Sequence, residues 1–119
     1  MAPIESFKQL DVWQNAMDLA ASAYQLTRGF PASERFGLTI QVRRASVSVA
    51  SNIAEGHRRT RPAYVNHLQI ALGSLAEVET QILLAVRLGM CREKDAEPVL
   101  LLVERTGQML HALLRSLRT

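Results

Sequence analysis

Three arginines fall within four positions in the run His57-Arg58-Arg59-Thr60-Arg61. Guanidinium forks match phosphate oxygens in geometry and charge, and binding of that kind weakens as salt rises. Arg58, Arg59 and Arg61 are therefore the candidate nucleic-acid-binding residues. The competing reading is a solvated loop whose charge offsets Glu55 and keeps the chain in solution. For a single copy the loop reading is the stronger. Repetition of the run around a ring multiplies the local field and reverses that preference.

The second candidate is a carboxylate in apolar company. Val65, Leu68, Leu72, Leu75, Glu79, Ile82 and Val86 keep three-four spacing, so Glu79 points where its apolar neighbours point. On another stretch, Arg43 interrupts the stripe Phe36, Ile40, Val47, Ala50 and Ala54, and Arg44 follows it. A charge on an apolar stripe needs a partner. If the segments on either side of 58–60 form an antiparallel hairpin, Glu79 lands within about a turn of 40–43. A structural ion pair of Glu79 with Arg43 is expected, with Arg44 in reserve and Ser46 or Ser74 assisting. The alternative role for Glu79 is a catalytic carboxylate. Glu77 lies two residues away and faces elsewhere, which is the wrong spacing for a carboxylate dyad on one helix.

Other chemistry finds no set of residues to carry it. His57, His67 and His111 are scattered, no Glu-x-x-His or His-x-x-x-His spacing occurs, and Cys91 stands alone. Gly73-Ser74-Leu75-Ala76-Glu77 is not a nucleophile elbow, and no glycine loop cradles phosphate. The sequence reads as a non-enzyme with no catalytic residue, metal or cofactor.

These residues must be positioned by helices. The chain of 119 residues is one domain by length, spanning 1–119, and is 48% apolar but only 5% aromatic. That size buries roughly two-thirds of the unfolded surface. Fourteen Lys and Arg against eleven Asp and Glu give a net charge of +3. So mild a balance permits nucleic-acid contact without requiring it. One cysteine forms no internal disulfide and fits a reducing compartment, the first ten residues lack a signal-peptide layout, and the longest uninterrupted apolar runs are about five residues. A cytoplasmic protein that does not enter a membrane is expected.

Residues 1–10 read as an extended lead-in, with Phe7 and Leu10 tucked against the fold. Asp11 offers an N-cap, with Gln14 completing a capping box, for a helix over about 12–28 that Gly29 and Pro31 end. Ser33 is the expected N-cap of a second helix that runs to about 55 and is closed by Gly56. This second helix carries two stripes, one of Leu38, Val42, Ala45, Val49 and Asn52/Ile53 and one through Arg43, so it needs two neighbours. A third helix starts at Arg61 or Pro62 and runs to 88, where Gly89 stops it. A fourth covers about 93–117, with Pro98 kinking it or delaying its start. Three short connections make neighbouring helices antiparallel, giving an all-α, up-down-up-down four-helix bundle. The second and third helices are apolar on more faces than one bundle can cover, which argues for a homo-oligomer.

The ordered motifs resemble a known family. They are Phe7-Lys8-Gln9-Leu10-x-Val12-Trp13-Gln14, then Tyr24, Phe30-Pro31 and Phe36-Gly37-Leu38. Gln41-x-Arg43-Arg44-Ala45-x-Val47-Ser48-x-x-x-Asn52-Ile53-Ala54-Glu55-Gly56 and Leu68-x-Ile70-Ala71-x-Gly73-Ser74-Leu75-x-Glu77-x-Glu79 follow. Over about 7–117 the chain resembles the four-helix-bundle family of ribosomal-RNA intervening-sequence proteins, which includes the accessory variability determinants of diversity-generating retroelements. The resemblance implies a ring-shaped homo-oligomer, a homopentamer with a basic, pore-containing surface. It also implies RNA or a reverse transcriptase as partner, and it marks Arg43, Arg44, Asn52, Glu55, Ser74, Glu77 and Glu79 as motif positions, most of them for assembly. The resulting expectation is a non-enzymatic oligomeric module that binds RNA or a nucleic-acid enzyme. The alternative is a structural or protein-interaction scaffold with no nucleic-acid role.

Overall fold

The computed structural model describes residues 6–118. Four helices account for most of them: α1 (Asp11–Thr27), α2 (Leu38–His57), α3 (Arg61–Arg87) and α4 (Glu93–Leu117). Short 3-10 turns at Phe7–Gln9 and Ala32–Glu34 precede α1 and α2, and no strand occurs among the described residues. α1 packs on α2 and α4, α3 packs on α2 and α4, and neither diagonal pair touches. This all-α arrangement, 46 × 24 × 21 Å, is compatible with a four-helix bundle.

Each helix turns one apolar stripe inward. Val42, Ala45, Val49 and Ile53 of α2 are buried, as the first stripe requires, against Leu19 and Ala23 of α1 and Leu68, Val78 and Ile82 of α3. α4 closes the core with Val99, Val103, Leu110 and Leu114. Thr106 is buried among them with its hydroxyl satisfied, donating to the Leu102 carbonyl (2.7 Å) and accepting from Asn15 Nδ2 (2.6 Å). By length and composition α3 is apolar enough to cross a bilayer. Here one face of it, with Leu68, Val78 and Ile82, forms a wall of the core, while Ile70, Leu83, Leu84 and Leu88 are exposed.

Several helix ends differ from expectation for identifiable reasons. Residues 1–5 lie outside the described residues, while 7–9 form a 3-10 turn rather than extended chain. Ser6 and Gln9 make the capping box there, each side chain satisfying the other's backbone N–H. Asp11 is thus not a cap but the first helical residue, and Gln14 donates to the Lys8 carbonyl instead. Phe7 and Leu10 do tuck in, Phe7 edge-on against Trp13 and Leu10 against the core. Ser33 caps nothing; it lies in a 3-10 turn, and the Glu34 carboxylate accepts the Leu38 N–H at 3.0 Å, delaying α2 to Leu38. Phe36, expected on the second stripe, therefore precedes the helix and is 84% exposed. Pro98 does not delay α4, which starts at Glu93. Lys94 and Pro98 are both exposed, so the helix loses that backbone bond on its solvent side rather than in the core. Gly89 stops α3 as expected. At φ 76° it closes a Schellman turn in which Met90 N–H reaches the Ala85 carbonyl and Gly89 N–H reaches Val86.

Gly56 is a different kind of glycine from the one expected. It lies inside α2, buried, and a Cβ there would stand 2.7 Å from His67 Cβ and 2.9 Å from Tyr64 Cδ1. Its role is close approach of α3, not termination. Gly56→Ala is therefore expected to lower stability by about 1–2 kcal/mol in urea denaturation, even though alanine is the better helix former. A neutral or stabilising result would mean that the two helices can part without loss.

Candidate functional site

The basic run forms the tip where α2 ends and α3 begins. Arg58 follows the last residue of α2, and its guanidinium lies over the Phe7 ring at 5.2 Å. Arg59 pairs with Glu55 at 2.9 Å, both side chains being about half exposed. Thr60 caps α3, its hydroxyl accepting from the Ala63 N–H, and Arg61 is the first residue of that helix. All three arginines are exposed and gathered within one turn of chain. Arg58 and Arg59 suit the negative end of the α2 dipole, but a cation at the first position of α3 opposes the dipole there. Stability does not explain Arg61. Glu55, a motif position, serves here as the local counter-charge to Arg59.

The expected Arg43–Glu79 pair does not form. Arg43 turns to α1, where its Nε donates to Thr27 Oγ1 (2.9 Å) and its guanidinium stacks 4.5 Å from the Tyr24 ring centre. Thr27 in turn donates to the Ala23 carbonyl, so the end of α1 is tied to the middle of α2. Arg44, the reserve partner, is exposed on the same side. Glu79 is exposed in an open groove of about 750 Å³ between α3 and α4, with Glu104, His111 and Arg115 also on its walls. The reason is rotational: the buried face of α3 centres on Ala71, Ser74, Val78 and Ala85, which leaves Glu79 one residue past the edge. Glu77 faces outward, and neither glutamate joins an ion pair among the described residues.

A polar seam between α2 and α3 takes in two other motif residues. Ser48 and Ser74 share a hydroxyl hydrogen bond of 2.8 Å. Asn52 donates to the Ser48 carbonyl and hydroxyl, and its Oδ1 lies 3.0 Å from His67 Nδ1. Because an amide oxygen only accepts, His67 carries its proton on Nδ1. Ser46, offered as a helper to Arg43, instead donates to the Arg43 backbone carbonyl. Sequence reasoning missed Ser48 and His67 as partners of Asn52, and Thr27 and Tyr24 as partners of Arg43.

Nothing here assembles a reactive centre among the described residues. No three of His, Cys, Asp and Glu converge as a metal site would need. Burial, and then the nearby Asp95 carboxylate, push the Cys91 thiol above its ordinary range, which disfavours the nucleophilic thiolate. Burial likewise raises the Tyr64 phenol, whose hydroxyl has no partner among the described residues.

The sequence profile of the 23S rRNA-intervening sequence protein family matches residues 8–112. Among solved structures, the chain is similar to a protein of unknown function from the S23 ribosomal protein family of Bacteroides thetaiotaomicron. The two share 21% identity and a TM-score of 0.81, over 87% of this chain and 95% of the other. At that identity the likeness shows the fold alone. No curated protein sequence matches the chain.

The geometry separates Arg43 from Glu79 energetically as well as spatially. In a double-mutant cycle, Arg43→Ala should lose about 1–2 kcal/mol through Tyr24 and Thr27, and Glu79→Ala should stay within about 0.5 kcal/mol. The two effects should add to within about 0.5 kcal/mol. A coupling above about 1 kcal/mol would restore the ion pair. Asn52→Ala, which strands His67 Nδ1 and Ser48, should lose about 1–3 kcal/mol by the same measurement.

Proposed function

Because the chain belongs to the 23S rRNA-intervening sequence protein family, we propose that it is a non-enzymatic, cytoplasmic module that binds RNA through the α2–α3 tip, or binds an enzyme that acts on RNA. The observation that carries this reading is the exposed cluster of Arg58, Arg59 and Arg61, in which Arg59 pairs with Glu55. Arg61 at the head of α3 has no partner among the described residues, and phosphate oxygens would supply one.

The module is read as an antiparallel up-down-up-down bundle that assembles into a ring. Supporting the first part, Gly56 abuts Tyr64, Asn52 meets His67 and Ser48 meets Ser74, so α3 recedes from the turn as α2 does. Likewise Arg43 meets Thr27, whereas Arg58 meets Phe7 at the other end of α1. Supporting the second part, large apolar side chains lie exposed along α3, with Ile70, Leu83, Leu84 and Leu88 each at least 42% exposed. Five copies is the number that the family resemblance implies. The same apolar surface supports the second reading, a protein-interaction scaffold with no nucleic-acid role.

The test is a titration of structured RNA and a matched DNA duplex at several salt concentrations. Wild type is compared with a variant carrying Arg58→Glu, Arg59→Glu and Arg61→Glu, with native mass and helicity checked for both. Wild type should bind with an affinity that falls steeply with salt, and the variant should lose binding while keeping its mass and helicity. Each lost phosphate contact should flatten the log–log salt slope by about 0.7–0.9. No binding by wild type even at low salt would favour the scaffold.

A further inference from the structure

Arg43 is a half-built site. Its Nε is used by Thr27 and its face by Tyr24, but its two terminal nitrogens have no partner among the described residues. Arg43 lines an open hollow of about 420 Å³ whose other walls include Ile40, Arg44, Val47 and Ser51. Through Val47 and Ser51 that hollow continues into a second, of about 360 Å³, lined by Trp13 and Met17 between α1 and α2. Val47 and Met17 are 43% and 44% exposed. An occupant must therefore be apolar along most of its length and carry a carboxylate at one point.

The outer face of α3 has that composition. Ile70, Glu77 and Leu84 recur at a spacing of seven, with Gly73 and Leu88 on the same side. Ile70, Leu84 and Leu88 are 45%, 42% and 59% exposed, and a Cβ on Gly73 would meet nothing within 4 Å. Glu77 is the one formal charge in the middle of this face, since Glu79 is turned into the α3–α4 groove. The exposed Leu101 of α4 is no match, because Glu97, Glu104 and Arg105 surround it in sequence.

We propose that the outer stripe of α3 from one copy docks on the α1–α2 hollow of the next, with the Glu77 carboxylate completing the Arg43 site across the interface. This rests on the ring reading and supplies its contact. The two faces are different surfaces of one molecule, so the contact is heterologous, the kind that closes into a ring when the rotation allows. Arg43 is held by Tyr24 and Thr27 before the partner arrives, which lowers the ordering cost of the pair. Arg44, exposed at the rim, adds attraction without being buried.

The test is native mass spectrometry and light scattering across micromolar concentrations, with circular dichroism to check folding. Glu77→Arg is the primary variant because Glu77 makes no ion pair within the monomer. It should remain helical while its assembly dissociates, with a rise in dissociation constant of about 100-fold or more. The charge-swapped double variant, Arg43→Glu with Glu77→Arg, should regain assembly. An assembled Glu77→Arg, or a double variant as dissociated as the single, overturns this interface while leaving the ring intact as a reading. A wild type that is monomeric throughout overturns the ring itself, and the contact with it.

Discussion

α2 and α3 can lie as close as they do only because position 56 carries no side chain, which lets Tyr64 and His67 sit directly on the backbone of α2. Close approach brings short polar groups within reach of one another across the gap. Ser48 then meets Ser74, and Asn52 bridges Ser48 to His67. These bonds do more for specificity than for net stability. A slip of one residue would break these bonds between part-buried groups and strand the buried Ser74 hydroxyl, a loss of about 1–3 kcal/mol for that group. Apolar packing holds the hairpin together, and the polar seam decides which register it adopts.

That register also decides where the remaining charges go. With Ser74 and Val78 facing inward, Glu79 must turn toward α4 and Glu77 must turn outward. With Val42 and Ala45 facing inward, Arg43 falls on the α1 side, where Thr27 and Tyr24 meet it. Arg43 therefore faces α1 and Glu79 faces the α3–α4 groove, on different flanks of the α2–α3 pair. Height along a helix comes from counting residues from the turn. Direction around it comes from which side chains are small enough to be trapped between helices.

This is why the sequence made the fold legible and the site only partly so. Four helices, their order and the stop at Gly89 follow from periodicity and punctuation, which are local properties of the chain. Helix starts are less legible, because Ser6 and Glu34 cap from outside the positions that an N-cap pattern picks out. The stripe through Glu79 satisfied three-four spacing as well as the true buried stripe through Ala71, Ser74, Val78 and Ala85 did. Periodicity alone ranks those two by hydrophobicity and chooses the larger residues. The structure buries Leu68, Leu75 and Ile82 of the first stripe but rotates the face toward Ala71, Ser74, Val78 and Ala85, which leaves Glu79 outside it. The Arg58–Arg59–Arg61 tip was legible because it lies at a turn, where exposure needs no knowledge of packing.

The tip and the outer stripes stand in a definite relation if copies associate side by side. A contact between the α1–α2 flank and the α3 flank leaves the ends of each rod free, so every copy presents its arginines at the same end of a cyclic assembly. Each rod is 21–24 Å across. Neighbouring tips would then stand well beyond the Debye length of about 8 Å at physiological salt. Their fields would add little, contrary to the expectation that a ring multiplies the local field, and a compact anion would meet each tip much as it meets a monomer. A nucleic acid differs because its phosphates are covalently linked and can reach several tips at once. Once one tip is engaged, the next binds at high effective concentration, and modest contacts multiply into affinity. In such an assembly a ring of weakly basic tips would select for length of polyanion rather than for charge alone.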